Sequence, residues 1–157
     1  MIRMKMLCSM FVFVVLLTLF GISIEAQQTS LPADQLVKIA TEYTRAREAS
    51  MAQNAGKDEV EKVLAFCTDN VVYEHVEFHA KVEGKENMRS GMMSHFGETR
   101  NPKFTIQNKI AGHNMVVIES TQAFEVQKDG KWESESRKRV TLFEFDQNQI
   151  ARIVDYQ

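Results

Sequence analysis

The chain has 157 residues, 44% apolar and 25% charged, with 19 Lys and Arg against 21 Asp and Glu for a formal charge of −2. That composition excludes a wholly disordered chain, a collagen-like chain and a multi-span membrane protein. Without a basic excess there is no electrostatic footprint for nucleic acid, and two cysteines cannot build a disulfide scaffold.

Residues 1–26 differ from the rest. Arg3 and Lys5 precede an uncharged stretch, Met6 to Ile24, whose run Phe11-Val12-Phe13-Val14-Val15-Leu16-Leu17 is densely apolar, and Glu25-Ala26 follows. A basic start, an apolar middle and a small residue at the end make a secretory signal pattern. The competing reading is an uncleaved anchor, because the stretch approaches the ~20 residues that span a bilayer. Cleavage after Ala26 leaves a short linker, 27–33, and one domain, 34–157. The protein is then secreted or periplasmic with no stable membrane insertion, and membrane-anchored if the segment stays.

Three helices are expected next. Pro32 and Asp34 suit a helix start, Leu36, Ile39, Ala40 and Tyr43 share a face, and Asn54-Ala55-Gly56 is a stop. Asp58 opens a short helix to about Phe66, and Cys67 continues its apolar stripe Val60, Val63, Leu64 as a buried small hydrophobe. Val71 to His79 alternates like a strand. Gly84 introduces a third helix, with Met88, Met92, His95 and Phe96 on one side, ended by Gly97.

The period then changes to two. Phe104 to Ile110, Met115 to Val126, Trp132 to Phe145 and Ile150 to Tyr156 alternate between short polar turns, which predicts an antiparallel meander. Helices segregated from such a sheet give an α+β domain. The long strands predict a cone: a strongly curved, mostly antiparallel sheet with three helices closing an apolar pocket.

The chain resembles the SnoaL-like branch of the nuclear-transport-factor-2-like superfamily. The marks are Asn54-Ala55-Gly56 with Asp58, Phe66 with Asp69-Asn70-Val71-Val72-Tyr73-Glu74, Gly84-Lys85-Glu86-Asn87-Met88, and Phe143-Glu144-Phe145-Asp146 with Ile150 to Tyr156. The fold hosts isomerases, cyclases, dehydratases, epoxide hydrolases and non-catalytic binders, so it does not fix the reaction. The resemblance to ketosteroid isomerases puts His75 at the general-base position. It puts Ala49 and Thr141 where the oxyanion donors are expected, which argues against steroid-type isomerisation. The resemblance to the polyketide cyclases puts Asp155, five residues after Ile150, at an acid/base position, although Ala151-Arg152-Ile153-Val154 lacks the usual histidine and tryptophan. It also implies a homodimer through the outer face of the sheet.

On a strand, Tyr73, His75, Glu77 and His79 share one side. His75 and Asp155 are the candidate proton-exchanging pair, and Tyr73 the hydrogen-bond donor. Tyr43, Met88, Met92 and His95 are candidate substrate-binding residues. His75-x-Glu77-x-His79 has the residue types of a facial metal triad. On a strand its two histidines would lie about 13 Å apart at ~3.3 Å per residue, so neither metal nor other cofactor is expected. Arg137, Lys138 and Arg139 read as a solvated edge first and an anion site second. Two functions remain open: a cofactor-free cyclase, isomerase or dehydratase acting on a small, largely apolar molecule, and a non-catalytic binding or structural module.

Overall fold

The structure is a computed structural model, and residues 31–157 are described. The expected signal segment, 1–26, lies outside the described residues.

The first helix, α1 (Ala33–Ser50), buries Leu36, Ala40, Tyr43, Thr44 and Ser50 along one stripe, with Asp34 in the first turn complementing the helix dipole. It is followed by α2 (Lys57–Leu64) and β1 (Cys67–His75). Cys67 therefore opens a strand rather than closing a helix. It is nonetheless buried, and burial pushes its thiol pKa up to about 12.

Strand β1 does not continue to His79. It ends at His75, residues 76–79 turn with His79 at φ 51°, and β2 (Ala80–Glu83) returns antiparallel with Ala80 opposite His75. The 13 Å separation expected of His75 and His79 along one strand thus does not hold. Among the described residues no group of three or more His, Cys, Asp or Glu side chains gathers as a metal site.

Gly84 leads into α3 (Lys85–Ser94) at φ 83°, a value that L side chains rarely adopt, while its N–H donates to Val71 O at 2.8 Å. Four long strands complete the chain: β3 (Thr99–Gly112), β4 (Met115–Lys128), β5 (Lys131–Asp146) and β6 (Gln149–Tyr156). Between β4 and β5, Asp129 and Gly130 both take positive φ, which suits a two-residue hairpin turn.

The six strands form one sheet in the order β2-β1-β6-β5-β4-β3. All neighbours are antiparallel except β1 and β6, which run parallel with His75 opposite Asp155. The expected cone is therefore incorrect. The sheet is mixed and open, neither closed nor strongly curled: β2 and β3 stand at opposite edges with β1, β6, β5 and β4 between them. The final strand continues the meander as a hairpin with β5, and its other edge takes β1 in parallel, which leaves β2 and β3 as the two edges.

The layer between helices and sheet holds the core. It is packed by Leu36, Ala40, Tyr43, Val60, Val63, Leu64, Phe143, Ile153 and their neighbours. Tyr43 stands edge-on to Phe143 at 5.3 Å and to Phe66 at 6.4 Å between ring centroids. A recess of about 330 Å³ lies elsewhere, lined by Ala52, Gln53, Asn54, Arg100, Asn101 and Pro102. Phe143 is almost wholly buried at the centre of the packed layer. Phe143→Ala is expected to cost about 3–5 kcal/mol, read as a lower denaturant midpoint at unchanged slope. Among the described residues no helix is long and apolar enough to cross a membrane.

Candidate active site

The helix-facing side of the sheet changes character along its strands. Phe145 and Phe143 on β5 are followed in phase by Thr141, Arg139 and Arg137. On β4, Val116 and Ile118 are followed by Ser120 and Gln122. One cross-strand row, His75–Asp155–Thr141, marks the boundary between the apolar and polar ends.

Asp155 is the hub of that row, 5% exposed. Its Oδ2 accepts from the Tyr73 hydroxyl at 2.7 Å and from Arg139 Nη1 at 2.8 Å, and its Oδ1 accepts from the Thr141 hydroxyl at 2.6 Å. A carboxylate offers about four acceptor positions, so three are filled and one is left. The Arg139 side chain is 15% exposed, which makes this a largely desolvated ion pair. The Tyr73 phenol is held well above its ordinary pKa, first by burial and then by the Asp155 charge. It therefore stays protonated and donates to Asp155.

His75 is 8% exposed and lies at the end of β1, its ring 4.4 Å from that of Phe78 on the following turn. Arg139 Nη2 faces its Nε2 at 3.4 Å, a long contact. Arginine can only donate, so this contact selects the tautomer with the lone pair on Nε2 and the proton on Nδ1. Among the described residues, His75 Nδ1 is buried without a hydrogen-bond partner, and the same holds for Arg139 Nε.

The imidazole pKa is lowered, first by desolvation and then by the Arg139 charge, with Arg137 adding a little; Asp155 and Glu77 oppose this. The unfolded chain therefore binds a proton near the ordinary value of 6.5 that the folded chain takes up only at lower pH. Stability is fully present above 6.5 and is lost as pH falls from there through the folded value. Urea titrations between pH 8 and 5 are expected to show this loss, and His75→Gln to remove that part of it.

The other expected site residues are placed as follows. Tyr43 is buried beneath the row, close enough for the charge of Asp155 to act on its phenol. Met88 is buried in the core, and Met92 packs against it. His95 caps the end of α3, with its side chain 72% exposed and paired to Glu98 at 2.7 Å, so it does not join the row. Arg139 was expected as a solvated edge and is instead the partner of Asp155. Arg137 pairs with Glu135, and Lys138 is exposed. Thr141 entered only as a missing acid, yet it donates to Asp155. The available signal was phase: Arg139 and Thr141 alternate in step with Phe143 and Phe145.

An open mixed sheet covered on one face by helices, with a polar row at the end of its core, is the arrangement of a small α+β domain class with many functions. The chain belongs to the SnoaL-like domain family, whose pattern matches residues 47–153. Three solved structures show the fold likeness. A ketosteroid isomerase-like protein from Catenulispora acidiphila, in complex with trimethylamine, is 17% identical with a TM-score of 0.62, covering 76% of this chain and 85% of that one. An epoxide hydrolase of the LEH-like type from M. tuberculosis is 25% identical with a TM-score of 0.56, covering 74% and 82%. An NTF2-like protein of unknown function from Burkholderia pseudomallei is 12% identical with a TM-score of 0.63, covering 78% and 89%. The comparison with curated proteins gave no match.

Proposed function

We propose that the chain is a cofactor-free acid/base enzyme acting on a small molecule, with Asp155 as proton acceptor and His75 as hydrogen-bond donor. The observation that carries this reading is the juxtaposition of the two: an ion-paired, buried carboxylate beside an imidazole whose Nδ1 has no partner. Asp155 uses its remaining acceptor position to take a proton from a carbon next to a carbonyl. His75 Nδ1–H stabilises the oxygen on which charge develops, and Asp155 then returns the proton. Arg139 and Thr141 orient the carboxylate, and Tyr73 holds Oδ2. This departs from the sequence-based division of roles, in which Tyr73 served the substrate, because its hydroxyl is already committed to Asp155. Cyclisation, isomerisation and dehydration at an enolisable carbon can each begin with such a proton transfer.

The test is proton exchange at the α-carbon of small ketones and esters in D2O, followed by NMR. The wild-type chain is expected to accelerate exchange of at least one compound, and Asp155→Asn to abolish the acceleration. Equal exchange by both would end the reading.

A non-catalytic ligand-binding module is the second reading, favoured by one observation: three donors already occupy Asp155, as in a purely structural network. We further propose export to a secreted or periplasmic location, supported by residues 1–26 of the sequence. A homodimer through the outer face of the sheet is also proposed, supported by exposed Ile110, Met115 and Val140.

A further inference from the structure

We propose that the ligand of this site carries a carboxylate, held between Arg47 of α1 and Arg139 of β5 above Tyr73. The inference rests on the small-molecule site proposed above and names the class of ligand that it takes.

Charge balance points this way. Arg47 continues the buried stripe of α1 one turn beyond Tyr43, so the helix lays a cation, not an apolar side chain, towards the row. Its charge acts on both Tyr43 and Tyr73. Tyr73 also feels Arg139 and shares Asp155 Oδ2 with it, so the charges of two guanidiniums reach one phenol. Asp155 balances Arg139. Arg47 donates to the Ser50 hydroxyl at 3.1 Å, and no acidic partner for it is found among the described residues. Arg47 is therefore left without a carboxylate beside the site, and Glu77, whose charge reaches His75, is exposed.

The unpartnered groups point the same way, independently of charge. His75, more than nine-tenths buried, leaves Nδ1 unsatisfied, and Arg139 leaves Nε unsatisfied. Arginine Nε can only donate, and His75 Nδ1 is a donor in the tautomer selected above. Ser120, the register partner of Arg139, and Gln122, that of Arg137, are both buried on the same face. From β1 to β4 this polar floor spans three strand spacings, about 14 Å. Buried donors without partners are rare and call for an acceptor. A carboxylate supplies acceptor oxygens and the missing negative charge together, whereas an amine cation would meet two guanidiniums and two unsatisfied donors.

The test compares two near-isosteric probes, benzoate and neutral benzamide, by calorimetry and by ¹⁵N shifts of the arginine Nε and histidine ring signals. Benzoate is expected to bind at least tenfold more tightly than benzamide and to shift Arg139 Nε and His75 Nδ1. Arg47→Met is expected to erase the tenfold preference, and Arg47→Lys to keep most of it. Equal affinities, no binding of benzoate, an Arg47→Met variant that still prefers benzoate, or tighter binding of trimethylammonium would each overturn the inference. The binding assay reads no turnover, so its failure is separate from that of the proton-exchange experiment. Carboxylate selectivity without exchange would leave a binding module, and exchange without carboxylate selectivity would leave an enzyme for a different ligand.

Discussion

Asp155→Asn is expected to destabilise the chain by about 3–5 kcal/mol and to abolish its acid/base activity. The substitution keeps the shape and one carbonyl oxygen, so Tyr73 and Arg139 retain an acceptor and Thr141 can turn its hydroxyl to accept from the new amide. What disappears is the negative charge, which leaves the Arg139 guanidinium, 15% exposed, without its counter-ion. Removing one partner of a desolvated pair has that cost because the other charge stays buried. A denaturant titration reads it directly. Replacing both members, Arg139→Met with Asp155→Asn, should recover part of the loss, since no stranded charge then remains. If Asp155→Asn were as stable as the wild type, Asp155 and Arg139 would not be the buried pair described here.

The second large effect separates the two nitrogens of His75. The Asn side-chain nitrogen sits near the position of Nδ1 and the Gln nitrogen near that of Nε2. With Nδ1–H as the working donor, His75→Asn should retain much more activity than His75→Gln, and His75→Leu should lose about 100-fold or more. The two amide variants are compared at equal folded fraction, so that a stability difference does not enter. A reversed order, Gln above Asn, would assign the donor to Nε2 and contradict the contact with Arg139.

Much of the fold was legible because local signals agreed. Period-two alternation with Asp129-Gly130 and the polar turns marked β3 to β6, and the stripe Leu36, Ala40, Tyr43 marked α1. The parallel pairing of β1 with β6 was not legible. It joins segments at opposite ends of the domain, and no local pattern encodes such a partner. That pairing also decides the shape, so the closed cone drawn from strand length alone did not follow. The turn at 76–79 was missed for a different reason. Residues 71–79 keep alternating through it, and His79, not glycine, takes the positive φ.

The site was half legible. His75 and Asp155 were singled out through resemblance and Tyr73 through strand alternation, and the structure places the three side by side. Arg139 was misread because Glu133 to Arg139 is polar on both faces of its strand, so composition does not say which face is inside. Phase does: Arg139 and Thr141 are in step with Phe143, Ser120 and Gln122 with Ile118, and Arg47 with Leu36, Ala40 and Tyr43. A polar residue that continues a buried stripe marks where the core becomes a site.

The most direct measurement of the central claim is a long-range ¹H–¹⁵N correlation of the His75 ring across pH. It reports which nitrogen carries the proton and where the ring titrates. A neutral ring with the proton on Nδ1, titrating below 6.5, is the predicted result. It should move upward in Arg139→Met, where the neighbouring cation is gone. A ring protonated on Nε2, or one titrating at or above 6.5, would contradict a His75 held neutral as a donor beside the Asp155–Arg139 pair.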